Sequence, residues 1–272
     1  MQDHPLSDTG FRQYMYRFLI GIYWEDALDV HGSGPRDVQS ETFSAFIVSI
    51  RGRWFLVTAG HVLEWIRDRI SSGRKYRASI LDLWADTSRD QNPIPFSDIS
   101  DFDRAPWIHI DSDDGLDYGC WYLRDYYCDL LKHNGITPIN ECAWQNPPAE
   151  LDLFLATGFP ADKRFPILDS GGQVVGWRLS PEAIPLRREN NPPESAIREF
   201  DRLYFWPPAN LDGSLMDLHG VSGGPVFGFQ FTDVDTRMWL VGLQSGQLEE
   251  CKLATVCPTE RFLALIQEKL DD

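Results

Sequence analysis

The chain has 272 residues, 43% hydrophobic and 24% charged, enough to bury a sizeable core as one large domain or two small ones. Against 25 Lys plus Arg stand 41 Asp plus Glu, a formal charge of −16. A surface this acidic repels phosphate backbones and anionic membranes, which argues against nucleic acid and membrane as partners.

Ten Trp, nine Tyr and sixteen Phe, with 21 Gly and 18 Pro, favour short strands and frequent turns, so the fold class leans to β. Residues 1–16 are mostly polar and read as a loose leader, without the basic start and apolar core of a signal peptide. Residues 18–24 form a buried-strand candidate, far too short to cross a bilayer. Two apolar runs, 43–50 and 54–59, are separated by Arg51-Gly52-Arg53 and predict a hairpin. The pattern then turns helical, with Val62, Leu63, Ile66 and Ile70 on one side. Residues 86–116 are acidic and loop-like.

A breaker zone at 134–150, carrying Pro138, Pro147 and Pro148, is the expected linker between a first half at 17–133 and a second at 151–258. Strand candidates in the second half are 151–156, 173–179, 202–206, 224–231 and 238–243, while 187–199 reads as a polar loop at the surface. Residues 259–272 form an amphipathic helix whose Phe262, Leu263, Leu265 and Ile266 pack on the body. The five cysteines, Cys120, Cys128, Cys142, Cys251 and Cys257, are odd in number and contain no C-x-x-C pair. They suggest neither a disulfide framework nor a zinc site, and a reducing cytoplasm is the expected compartment.

Three short stretches carry chemistry. In Gly220-Val221-Ser222-Gly223-Gly224-Pro225, glycines flanking a serine allow a tight turn that aims backbone N–H groups beside the hydroxyl. A serine hydroxyl is a weak nucleophile until a base takes its proton and donors stabilise the oxyanion it generates. Gly220 and Ser222 are the expected donors; a glycine-rich turn with an idle serine is the bland alternative. In Thr58-Ala59-Gly60-His61, a buried strand runs through small residues into a histidine opening a helix, leaving room for an imidazole to act as general base. His219, near Ser222 in sequence, is a weaker candidate; His4, His31, His109 and His133 have no comparable context. A carboxylate is still needed to orient the imidazole and stabilise its charged form. Asp117, where a loop enters the apolar strand Leu116-Asp117-Tyr118-Gly119, suits that role better than Asp111, Asp113 and Asp114 in a more solvated run. That run does not fit a calcium loop, because its sixth and twelfth positions hold Leu116 and Tyr122 in place of Gly and Glu. No metal or other cofactor is expected.

Together these stretches resemble the trypsin-like (chymotrypsin-fold) serine peptidases, with His61, Asp117 and Ser222 in that family's chain order. Gly158-Phe159-Pro160 and the segment from Val241 to Gly246 extend the likeness. The resemblance implies an all-β fold: two antiparallel six-stranded β-barrels packed side by side with a C-terminal α-helix. It makes Ser222 the nucleophile, His61 the base and then the acid, and Asp117 the orienter. It places the oxyanion hole at the N–H groups of Gly220 and Ser222, with substrate pairing along Ser245 and Gly246. Met216 falls at the base of the primary pocket with Asp217 beside it, implying an apolar or mixed pocket. Val221 stands where digestive members carry an aspartate, and Val62 where secreted members carry a disulfide cysteine. The expected activity is hydrolysis of a peptide or protein substrate through an acyl-enzyme. The alternatives are a catalytically silent or partner-activated module, with a regulatory protein as partner, and an esterase.

Overall fold

The computed structural model describes residues 9–26, 40–73, 75–82, 94–101, 107–111, 115–168, 170–171, 174–198, 200–248 and 250–271. The first half runs α1 (Thr9–Tyr16), β1 (Leu19–Asp26), β2 (Ser40–Ile50), β3 (Arg53–Thr58), α2 (Gly60–Ser71), β4 (Tyr76–Asp82), β5 (Ile94–Pro95), β6 (Trp107–Asp111), β7 (Leu116–Tyr122), α3 (Asp125–His133) and β8 (Ile139–Asn140). Its strands form an eight-stranded sheet in the order β5-β4-β1-β2-β3-β7-β6, with β8 lying parallel to β2. The hairpin expected around Arg51 is present, with Ile50 opposite Arg53.

The second half runs β9 (Leu153–Gly158), β10 (Arg164–Leu168), β11 (Val174–Leu179), β12 (Glu182–Glu189), β13 (Leu203–Trp206), β14 (Pro225–Phe231), β15 (Thr236–Gln247), β16 (Ala254–Pro258) and α4 (Thr259–Asp271). Six of these strands close into a barrel, β12-β13-β16-β15-β14-β9, and β10 and β11 pair separately as a hairpin. The fold is therefore mostly β, with one closed six-stranded barrel and a C-terminal helix. The expectation of two six-stranded barrels is met in the second half only. Among the described residues the path of the first sheet ends at β5 and β6 without joining them, and β5 offers two residues, one a proline with no N–H to donate.

Other expectations need correction. Residues 9–16, read as part of a loose leader, form α1, and its Met15 and Tyr16 are buried. Phe11 packs on Phe229, ring centroids 5.5 Å apart, and Tyr16 Oη donates to Pro181 O at 3.0 Å, so this helix fastens the start of the chain to the second half. The linker at 134–150 is tied to the first sheet through β8 and buries Trp144. Residues 187–189 of the supposed polar loop belong to barrel strand β12. Two of the three charges have partners on the next strand: the Arg188 guanidinium lies over the Phe205 ring at 5.2 Å, and Glu189 accepts from Trp206 Nε1 at 2.7 Å, while Arg187 is exposed. Helix α3, β10 and β16 had no signal strong enough to be read from the sequence. The C-terminal helix is where expected, with Phe262, Leu263 and Ile266 buried and Leu265 half-buried.

Candidate active site

His61 is the second residue of α2, where backbone N–H groups lack helical partners. Asp117, next to the start of β7, fills that vacancy from the side: its Oδ1 accepts the His61 backbone N–H at 2.9 Å. Its Oδ2 accepts from the ring Nδ1 at 2.7 Å. A carboxylate at a helix N-terminus is also favoured by the helix dipole. The approach of α2 to β7 depends on Gly119, since a Cβ there would lie 2.5 Å from Leu63 Cδ1. Because an ionised carboxylate can only accept, the shared proton sits on Nδ1, leaving the Nε2 lone pair free to take another.

The environment of the pair is asymmetric. The Asp117 side chain is 11% exposed and that of His61 49%. Cys257, on β16, approaches from the other half; its thiol, pushed up by burial, donates to Gly115 O at 3.6 Å. Arg202 Nε donates to the same carbonyl. For His61, burial pulls the pKa down, but the hydrogen bond and charge of Asp117, aided by Glu64, outweigh it, and the pKa stands above the ordinary histidine value.

Ser222 sits on a turn between Leu218 and Gly224. Val221 is fully buried in the barrel cluster with Leu218, Val226 and Val256, and the neighbouring Ser222 is half-buried. A charged residue at 221 would meet that apolar wall, which accounts for valine there. Most N–H groups of the turn are engaged. His219 donates to Asp217 Oδ1 at 2.9 Å, Val221 to Leu218 O at 2.9 Å, Gly223 to Gln244 O at 2.7 Å and Gly224 to Val221 O at 2.8 Å. Among the described residues, the N–H groups of Gly220 and Ser222 donate to no protein acceptor. The His219 carbonyl accepts from Ala161 N–H at 2.9 Å. Since a trans peptide is planar, the Gly220 N–H points away from that anchor.

The two halves meet at this turn. Gly220 and Gly223 both have positive φ, +86° and +88°. A Cβ on Gly223 would run into Thr58 Oγ1 and Ser44 O and lie 2.9 Å from Ala59 N. The residue after Ser222 is thus pressed against the segment leading into His61. The structure brings His61, Asp117 and the Ser222 turn to one place. Among the described residues, no hydrogen bond joins Ser222 Oγ to the His61 ring.

The other expected site residues are distributed less simply. Ser245 is buried, its Oγ 3.1 Å from Thr255 Oγ1, and Gly246 pairs with Thr255. Gln244 is the last residue of β15 whose backbone bonds toward the serine turn, donating to Gly224 O at 2.9 Å. Beyond it, among the described residues, β15 pairs with no strand but β16, and the Gly246 carbonyl accepts from Gln244 Nε2 at 2.8 Å. Met216 is half-buried against the barrel cluster, and Asp217 is exposed and occupied with the His219 amide. His219, the weaker base candidate, is exposed. Asp113 and Asp114 lie outside the described residues.

Three participants were missed. The amide of Gln247 spans the space between β15 and the serine turn: Oε1 accepts from Leu218 N–H at 3.2 Å, and Nε2 donates to Met216 O at 3.1 Å and Lys252 O at 3.0 Å. Ser44 and Thr58 contact the turn from the first half. Thr58 stands within the recognised histidine stretch, whereas nothing in the sequence singles out Ser44 or Gln247.

No protein-family model matches the chain, and no curated protein matches it. Among solved structures, the thermostable serine protease AL20 from an extremophilic microorganism is similar at 13% sequence identity and a TM-score of 0.44, over 90% of this chain and 92% of that one.

Proposed function

We propose that this chain is a serine endopeptidase with Ser222 as nucleophile, His61 as general base and acid, and Asp117 as orienter. The observation that carries the reading is the Asp117 carboxylate holding His61 by both its ring and its backbone, set against the serine turn. In the first step a rotation of the Ser222 side chain brings Oγ to Nε2, a contact that tightens when substrate binds. Nε2 takes the hydroxyl proton as Oγ attacks the scissile carbonyl, and Asp117 stabilises the imidazolium so formed. The negative oxygen of the tetrahedral intermediate is received by the Gly220 and Ser222 N–H groups, the two donors the turn leaves unengaged. The imidazolium then protonates the leaving amine, and water, deprotonated by the same nitrogen, hydrolyses the acyl-enzyme.

An extended substrate would pair along β15 at 245–247, as an added strand, taking the place of the Gln244 amide on the Gly246 carbonyl. Its side chain before the scissile bond would enter the space that the Gln247 amide crosses, so small side chains are preferred there, a narrower choice than the apolar or mixed pocket that Met216 and Asp217 implied. The five cysteines are all free, in keeping with a reducing, cytoplasmic setting. Among the described residues, no helix is long and apolar enough to cross a membrane.

The test is labelling of the purified protein by a fluorophosphonate, with the adduct mapped by mass spectrometry and casein hydrolysis measured in parallel. Adduct at Ser222, lost in Ser222→Ala and His61→Ala, together with casein cleavage, is the expected result. Labelling with hydrolysis of short-chain esters only would make the chain an esterase. An unlabelled Ser222 would turn the reading to a catalytically silent or partner-activated module that binds peptides or proteins.

A further inference from the structure

Ser44 belongs to β2, in the half that carries His61, yet its hydroxyl bonds entirely to the other half. Oγ donates to Gly220 O at 2.7 Å and accepts from Phe159 N–H at 2.9 Å, and the residue is fully buried. The Ser44 carbonyl in turn accepts from Thr58 Oγ1 at 2.8 Å, within the segment leading to His61.

Gly220 has no Cβ and a φ of +86°, so the peptide planes on either side of it would turn easily if left alone. Both are pinned. The plane before it is held by Ala161 N–H on the His219 carbonyl, and the plane after it by Ser44 Oγ on the Gly220 carbonyl. The first pin also traces back to Ser44, because the hydroxyl that holds Gly220 fixes the Phe159 amide two residues before Ala161.

We propose that Ser44 is a positioning residue for the oxyanion donors: one buried hydroxyl locks the Gly220 peptide planes and ties their orientation to the half that supplies the base. This rests on the peptidase reading above, which assigns the Gly220 N–H its role. It goes further in placing the control of that N–H on a side chain of the opposite half. A hydroxyl that merely satisfied two buried groups would affect stability and leave the chemistry intact.

The two roles separate in the Ser44→Ala variant of the full chain, read by the rate of fluorophosphonate labelling at Ser222, because the phosphoryl oxygen needs the same donors. Labelling is expected to slow roughly ten- to hundred-fold, less than the about 10²- to 10³-fold of an oxyanion donor removed outright, because the Gly220 N–H is misaimed and still present. The pH titration of the His61 ring by NMR should be unchanged, and melting should stay cooperative. Equal labelling rates would overturn the proposal, as would a slowing accompanied by a shifted His61 titration, which would mean general disruption. If Ser44→Ala does not fold, Ser44→Cys keeps the shape with a weaker donor and should slow labelling to a smaller degree; an unchanged rate there would be equally decisive. If the wild-type chain itself does not label, the peptidase reading fails separately. Amide exchange then judges the lock: faster Phe159 exchange in the folded variant upholds it, and unchanged exchange overturns it.

Discussion

In the first half the functional groups are held by side chains: a carboxylate on β7 reaches across to cap α2 and grip an imidazole through two hydrogen bonds, 2.7 and 2.9 Å long. In the second half Ser222, the nucleophile we propose, is held by backbone, with Gly223 and Gly224 of its turn laced to Gln244 of a closed barrel and Val221 anchored in that barrel's core. The difference follows from what each group must do. A base has to change charge, so its support must answer electrostatically, which a carboxylate does and a backbone carbonyl does less well. An oxyanion site must stay still while charge appears, so rigid peptide dipoles on a closed ladder suit it. The prediction is that substitutions at His61 and its carboxylate alter how activity depends on pH, while those at the serine turn, and at Ser44 which reaches it from the first half, alter rate, stability or selectivity with the pH profile retained.

The largest effect tests both halves at once. Ser222→Ala and His61→Ala should each reduce labelling and hydrolysis by at least about 10³-fold, and the double variant should be little worse than either, because the two act as a unit. Additive losses in the double variant, measured by kcat/KM on one peptide, would break the assignment.

Asp117→Asn should come next, with roughly 10²- to 10⁴-fold lower kcat. It removes the carboxylate that does most to raise the His61 pKa, leaving Glu64 alone against the burial that lowers it, so the acid limb of the residual activity should move to lower pH. The stability effect has the opposite pH sense. A histidine whose folded pKa is raised contributes stability below its unfolded pKa of about 6.5, and loses it as pH climbs through the folded value. Melting curves should therefore show the variant most destabilised relative to wild type in mild acid, with the gap narrowing in alkali. A gap that widens in alkali would mean His61 is not the group gripped by Asp117.

In the second half, Gly223→Ala should lower stability by about 2–4 kcal/mol, combining a side chain at positive φ with overpacking against Thr58 and Ser44. Chemical denaturation would measure it. A loss under 1 kcal/mol, roughly what glycine-to-alanine relief of chain entropy could mask, would show that the halves do not meet tightly at this turn.

The same contrast explains what the sequence disclosed. The serine turn was legible because rigid backbone geometry demands glycines at fixed offsets around Ser222, and composition records that demand directly. His61 was legible from the small residues before it, and Asp117 from its place at the entry to an apolar strand. The barrel strand β12 was not, because Arg187, Arg188 and Glu189 disguise it: the partners of Arg188 and Glu189, Phe205 and Trp206, lie on a neighbouring strand that local patterning does not reveal. Helix α1 was hidden for a similar reason, since a short segment earns its helix by packing Phe11 on Phe229, far along the chain. Ser44 and Gln247 leave no local trace, because a serine or glutamine in a strand is ordinary until its long-range partners are known.

Gln247 offers the smallest effect and the sharpest probe of the second half. Its amide ties Leu218, Met216 and Lys252 across the space beside the serine turn, so the wild-type chain should cleave after Gly, Ala or Ser in preference to Leu, Phe or Lys. Gln247→Gly removes that crossing side chain and should raise kcat/KM for large apolar side chains by about ten-fold relative to alanine, the scale on which pocket volume discriminates. The acid limb of the pH profile should not move, because nothing bonded to His61 has changed. A peptide library showing that the wild-type chain already prefers Phe or Leu would mean the amide swings aside when substrate binds, and the half-buried Met216 behind it would return as the surface that selects.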